Sequence, residues 1–162
     1  MKQLVQYIEE KLIIKKNSKV KVKYQPNNSE IKPLLQKLIK ERGKDANLND
    51  VDVSKVTDMC KLFKGLDIHN IDISEWNVSN VYDMESMFIG CHNFNCNLSN
   101  WDIHNVYDMD KMFYDCLKFT AEGLENWKIN KDPLFGCHNM FYNCYSIDSS
   151  QKKKIYWYDK SL

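Results

Sequence analysis

A chain of 162 residues with 43% hydrophobic and 12% aromatic content can bury about 70% of its unfolded surface in one domain, which excludes a disordered chain and any need for a disulfide or metal on grounds of size. The formal charge of +1 conceals segregation: Lys/Arg against Asp/Glu is 12 to 5 over residues 1–46, 7 to 15 over 47–147 and 4 to 2 over 148–162, or +7, −8 and +2. No window approaches the ~20 apolar residues of a membrane span, and "MKQLVQYIEEKLIIKK" is broken by Gln6, Glu9, Glu10 and Lys11, so the sequence predicts a cytoplasmic protein whose six cysteines are thiols.

In chain order, residues 3–14 carry an amphipathic helical pattern with apolar side chains at 4, 5, 8, 12 and 13. The alternation in "KVKVKYQ" (19–25) predicts a strand. Ser29 is placed to cap a helix that tolerates Pro33 near its first turn and runs through Arg42 to a stop at Gly43. Residues 1–46 thus read as a basic helix–strand–helix cap packed on residues 47–147.

Residues 47–147 repeat. Trp76, Trp101 and Trp127 stand 25 and 26 residues apart, and a stripe recurs with them: Val56/Met59/Leu62/Phe63, Val81/Met84/Met87/Phe88, Val106/Met109/Met112/Phe113 and Leu134/Cys137/Met140/Phe141. Within a copy the apolar residues fall at i, i+3, i+6, i+7 and i+10, which predicts a short helix with one buried stripe. Asn80 and Asn105 fall where a helix N-cap is wanted. Asp58, Asp83 and Asp108 fall in its first turn, where a carboxylate accepts free N–H groups, so these aspartates read as caps rather than as a catalytic ladder.

Between the stripes, "IDISEWNVS", "CNLSNWDIH" and "EGLENWKIN" place each Trp and the aliphatic residue two positions on upon one face, which predicts a short strand. The expected fold is α/β, a right-handed solenoid of about four strand–helix coils. Residues 148–162 form a C-terminal cap or tail in which Ile155, Trp157 and Tyr158 seal the last coil.

"FNCNLSNWDIHNVYDMDKMFYDC" resembles the repeat of the BspA-like leucine-rich-repeat proteins, over about residues 48–147. That resemblance implies a curved right-handed solenoid used for binding, commonly in adhesion or host contact, and no catalytic activity.

The residues themselves contain no constellation for chemistry. Cys91, Cys116 and Cys144 share one repeat position and should line up in the interior, where a thiol behaves as a small hydrophobe. No C-x-x-C or H-x₃-H pair accompanies them, so no metal is expected. His69, His92, His104 and His138 sit at non-equivalent phases of the repeat, and the five glycines form no phosphate-cradling run. No cofactor and no enzymatic activity are expected.

The outward positions of the Trp segments, Glu75, Asn77 and Ser79, Asn100, Asp102 and His104, then Asn126, Lys128 and Asn130, differ between copies while the inward ones stay nearly constant. These nine form the expected protein-binding face. A second candidate is a basic patch of Lys19, Lys21, Lys23, Lys152, Lys153 and Lys154. The leading expectation is a protein-binding scaffold, such as a phage or mobile-element product engaging a bacterial host protein in the host-cell cytoplasm. Its alternatives are nucleic-acid binding through the basic cap and tail, and a surface adhesin.

Overall fold

The computed structural model describes residues 24–129 and 136–155. The expected helix over 3–14, the strand up to residue 23, and Lys19, Lys21, Lys23, Asn130, Leu134, Trp157 and Tyr158 lie outside the described residues, as do the side chains of Lys152 and Lys153.

Among the described residues there are two α-helices, α1 (Asn28–Arg42) and α2 (Ser149–Lys154), a 3₁₀ turn at Leu124–Asn126, and no β-strand. The expected strand–helix leucine-rich-repeat solenoid is therefore not what this chain builds. Among the described residues neither the stripes nor the Trp segments are α-helix or strand, and the 3₁₀ turn at Leu124–Asn126 leads into Trp127.

Backbone amides show what replaces it. In the second copy, Met84, Ser86, Phe88 and Gly90 donate to the carbonyls of Asp108, Asp110, Met112 and Tyr114 in the next copy, at 2.8–2.9 Å. The alternate residues turn inward: Met87, Ile89 and Cys91 donate to Met84, Ser86 and Phe88, at 2.9–3.2 Å, closing four-residue turns. The first copy does the same from Met59, Lys61, Phe63 and Gly65 to Asp83, Glu85, Met87 and Ile89, and the third from Met109, Lys111, Phe113 and Asp115 to Gly136, His138, Met140 and Tyr142. A helix sends every amide along its own axis and a strand sends alternate amides to opposite sides. Here one amide in two goes sideways and the other closes a turn, so pairing is reduced to isolated parallel bridges such as Asp58 to Asp83 and Asp83 to Asp108.

This alternation requires the chain to swing out of the right-handed region twice per copy. Lys61, Ser86, Lys111 and Asn139 sit at φ 54–55°, and four residues on Gly65, Gly90, Asp115 and Asn143 sit at φ 58–74°. Left-handed backbone costs a non-glycine L-residue about 1–2 kcal/mol, and a helix through any of these points is broken.

The Trp segments are turns as well. Trp76 donates to Ile73, Trp101 to Leu98 and Trp127 to Leu124, while Val81 donates to Val78 and Val106 to Ile103. Three columns of Asx residues organise the turns by accepting the amide two residues on. Asn47, Asp72 and Asn97 hold Asn49, Ser74 and Ser99; Asp52, Asn77 and Asp102 hold Ser54, Ser79 and His104; Asp58, Asp83 and Asp108 hold Cys60, Glu85 and Asp110. The aspartates expected to cap helices do accept backbone N–H groups, but in Asx turns. Asn80 and Asn105 cap nothing: each Nδ2 donates to a carbonyl of the preceding copy, Ser54 at 2.9 Å and Ser79 at 2.8 Å.

The apolar stripe remains buried, because turns closing at i+3 return every third residue to the inside much as a helix does. Phe63, Phe88, Phe113 and Phe141 form a stack with centroids 5.2–5.8 Å apart and planes within 3–5°. Trp76, Trp101 and Trp127 each donate Nε1–H to a carbonyl of the preceding copy, at Leu48, Ile73 and Leu98, 2.9–3.1 Å away. One core runs continuously from Ile31 to Ile155.

α1 covers the first copy with Ile31, Leu34, Leu35 and Leu38. Its N-cap is Asn27 rather than Ser29, in a capping box with Glu30, and it ends at Gly43 as expected. Pro33 lies inside α1, past the first turn, so the amide that would have reached Ser29 is missing. Arg42 grips Asp50 through two bonds of 2.7 and 2.8 Å, and Lys32 Nζ donates to the Lys61 carbonyl at 2.9 Å. At the far end Asp148 caps α2, Gln151 Nε2 donates to the Ala121 carbonyl at 2.7 Å, and Ile155 is buried.

Turn and helix make opposite predictions at Lys111, an exposed left-handed residue. In a helix, Lys→Gly costs about 1 kcal/mol. In this backbone Lys111→Gly relieves left-handed strain, so thermal denaturation should rank Gly above Lys and Lys above Val, with Lys111→Val losing about 1–2 kcal/mol.

Candidate functional site

The alternation read from the Trp segments survives the loss of the strand. Trp76, Val78, Trp101, Ile103 and Trp127 are buried and Ile129 is half-buried. Glu75, Asn77, Asn100, Asp102, His104, Asn126 and Lys128 are exposed and Ser79 is half-buried. Asn100, Asp102, His104, Asn126 and Lys128 meet around a shallow cleft of about 380 Å³ over Trp101, whereas Glu75, Asn77 and Ser79 lie one copy away and do not line it.

Several of these polar residues already serve the turn. Asn77 Oδ1 accepts from Ser79 Oγ at 2.7 Å as well as from its amide, and Asp102 Oδ1 lies 2.8 Å from His104 Nδ1. The His104 contact holds the Asp102 carboxyl below the ordinary range. Glu75, Asn100, Asn126 and Lys128 make no side-chain hydrogen bond within the described residues. They are the members of the face most open to a partner.

A feature that the sequence reading passed over lies one turn further along each copy. Tyr82 and Tyr107 are 41% and 46% exposed, with ring centroids 5.7 Å apart and planes within 4°. The signal was present in the doubled "NVYDM", where an aromatic recurs off the apolar stripe. Beside the rings runs the column Asp58, Asp83 and Asp108, and beyond it Glu85 and Asp110. Glu85 is paired with Lys61 Nζ at 2.7 Å, which lowers its carboxyl, and Asp110 lies 3.2 Å from His138 Nδ1. Burial, followed by neighbouring carboxylates, raises Asp83 and Asp108 above the ordinary range against the pull of one backbone N–H each.

The cysteine column is a set of latches. Cys91, Cys116 and Cys144 donate Sγ–H to the carbonyls of Phe63, Phe88 and Phe113 at 2.9–3.1 Å. Burial pushes the Cys91 thiol up to about 12 and raises Cys116 as well, so neither supplies a thiolate at neutral pH. Cys60 Sγ sits 3.3 Å from Glu85 Oε2 and is also raised, first by burial. Among the described residues no three His, Cys, Asp or Glu side chains converge to hold a metal ion, and no helix is long and apolar enough to cross a membrane. Of the basic patch, Lys154 is exposed at the end of α2.

The raised carboxyls set a pH dependence. Between the ordinary carboxylate pKa and the raised one, the folded chain binds more protons than the unfolded chain, so stability falls as pH rises through that window. Asp83→Asn with Asp108→Asn keeps the Asx acceptor and removes the charge. The pair should be more stable than wild type at pH 7 and should flatten the fall of Tm with rising pH just above the ordinary carboxylate pKa.

No curated protein and no solved structure matches the chain. A family model does, from Leu34 inside α1 to the last residue of α2. Since residues 34–154 fit the family described as Mycoplasma protein of unknown function, DUF285, and hold Leu34, Leu35 and Leu38 of α1, every described copy and α2, the chain belongs to that family.

Proposed function

We propose that this chain is a non-enzymatic protein-binding scaffold. The observation that carries the proposal is the contrast between a repeated interior and a varied exterior. Inward positions repeat as Trp76, Trp101 and Trp127 or Val78, Ile103 and Ile129, and outward ones change from Glu75 to Asn100 to Asn126 and from Asn77 to Asp102 to Lys128. Packing constrains the first set; nothing in the fold constrains Glu75, Asn100, Asn126 or Lys128.

The repeat's resemblance to BspA-like proteins supports a binding role, because such proteins present a repeated scaffold to a partner. We place the protein in the cytoplasm, where thiols persist, in keeping with six cysteines none of which forms a disulfide in the described residues. A phage or mobile-element product engaging a host protein fits that setting. Nucleic acid is disfavoured on this flank, since Asp58, Asp83, Glu85, Asp102, Asp108 and Asp110 would repel phosphate.

The test is affinity capture from the producing cells with the full chain and with Glu75→Lys/Asn100→Lys/Lys128→Glu, which spares the Asx turns. A protein retained by the wild type and depleted at least about tenfold by the variant supports the proposal. Identical captured sets would overturn it.

A further inference from the structure

We propose that Tyr82 and Tyr107, with Asp58, Asp83 and Asp108 beside them, form the docking surface for an arginine-bearing basic segment of a partner protein. The inference rests on the protein-binding reading and gives that partner a chemistry.

Two tyrosine pairs depart from the burial of the recurring aromatics: Tyr114 with Tyr142, stacked at 4.7 Å with Tyr142 50% exposed, and Tyr82 with Tyr107, the pair in the field of the aspartate column. Phe63, Phe88, Phe113 and the three Trp are all buried, while Tyr82 and Tyr107 present stacked rings to solvent. Their backbones are fixed: Tyr82 N donates to the Thr57 carbonyl at 2.9 Å and Tyr107 N to the Tyr82 carbonyl at 3.0 Å. A rigid exposed aromatic pair loses little conformational freedom on binding, which makes it a favourable anchor.

The neighbouring carboxylates make no direct ion pair, Lys61 acting on Asp83 only through space. Five other carboxylates have cationic or histidine partners: Asp50 with Arg42, Asp67 with Lys44, Glu85 with Lys61, Asp102 with His104 and Asp110 with His138. Asp58, Asp83 and Asp108 have none among the described residues, and each accepts only a backbone N–H at 2.8 Å. The Tyr107 hydroxyl lies in their field, since burial and then Asp83, Tyr82, Asp108 and Asp58 all raise its pKa.

Two stacked rings beside unpaired carboxylates suit a guanidinium. Its plane packs on the ring face and its forked N–H groups meet a carboxylate, a combination that a lysine ammonium cannot match. Copies joined by parallel bridges are about 4.8 Å apart, so the column spans roughly 10 Å, within reach of basic side chains two residues apart on an extended segment. The surface is bounded at both ends. Thr57 takes the tyrosine position in the first copy and is held by Asn28 of α1, at 3.0 Å to its hydroxyl. Gly136 ends the aspartate column, and a Cβ there would sit 3.0 Å from Asp110 Oδ1 and 3.2 Å from Asp108 Oδ1.

The experiment is fluorescence anisotropy of the full chain with labelled Arg-Gly-Arg-Gly-Arg, Lys-Gly-Lys-Gly-Lys and Glu-Gly-Glu-Gly-Glu peptides. Expected are binding in the order Arg, Lys, Glu, and a loss of about tenfold or more in arginine-peptide affinity for Tyr82→Ala/Tyr107→Ala and separately for Asp83→Asn/Asp108→Asn. The second variant is predicted to be at least as stable as wild type, so its loss of binding cannot be assigned to unfolding. No binding of the arginine peptide, or unchanged affinity in both variants, would overturn the inference. A partner captured equally by wild type and Tyr82→Ala/Tyr107→Ala, yet lost with Glu75→Lys/Asn100→Lys/Lys128→Glu, would overturn it while leaving the protein-binding reading intact.

Discussion

The lateral hydrogen bond from every second amide of one copy to a carbonyl of the next is the interaction on which the rest of this structure depends. A copy on its own would leave Met84, Ser86, Phe88 and Gly90 without acceptors, and an unpaired buried backbone group costs about 1–3 kcal/mol. Each copy is therefore a partial structure that its neighbour completes. The same bonds set the spacing of everything attached to them. Phenylalanine rings stack 5.2–5.8 Å apart because their backbones are held one bridge apart, and the exposed tyrosines stack at 5.7 Å for the same reason.

Side chains reinforce the lateral connection in the same direction. Trp Nε1, Asn Nδ2 and Cys Sγ of one copy each donate to a carbonyl of the copy before it. Alternate amides of residues 84–90 donate forward and these side chains donate backward, and the Leu48 and Phe63 carbonyls that accept from Trp76 and Cys91 also close turns with Val51 and Leu66. No buried side-chain nitrogen or oxygen among the described residues lacks one. α1 ends this ladder on one side with an apolar face and the Arg42–Asp50 pair. Glu75, Asn100, Asn126 and Lys128 carry none of these obligations, which leaves their side chains open to a partner.

The repeat, its period, its inward residues and the end of α1 at Gly43 were legible in the sequence. What was not legible was the conformation of the stripe. Apolar residues at i, i+3, i+6 and i+7 are returned inward by a helix and by consecutive i+3 turns alike, so periodicity cannot separate the two. Glycine marks a left-handed point at Gly65 and Gly90, but the earlier point of each copy is occupied by Lys61, Ser86, Lys111 and Asn139, which announce nothing. Asp58, Asp83 and Asp108 were read correctly as acceptors of backbone N–H groups, yet Asx turns and helix caps use the same residue types. Tyr82 and Tyr107 stand off the stripe, so the apolar periodicity carries no signal for their exposed stack.

The account stands or falls on where the amides of residues 84–91 send their protons. Through-hydrogen-bond scalar couplings measured by NMR on the labelled full chain identify each acceptor carbonyl directly. The predicted result is couplings from the amides of Met84, Ser86, Phe88 and Gly90 to the carbonyls of Asp108, Asp110, Met112 and Tyr114, with left-handed φ at Ser86 and Gly90. Couplings from Phe88 to Met84 and from Ile89 to Glu85, with right-handed φ throughout, would show a helix and contradict it.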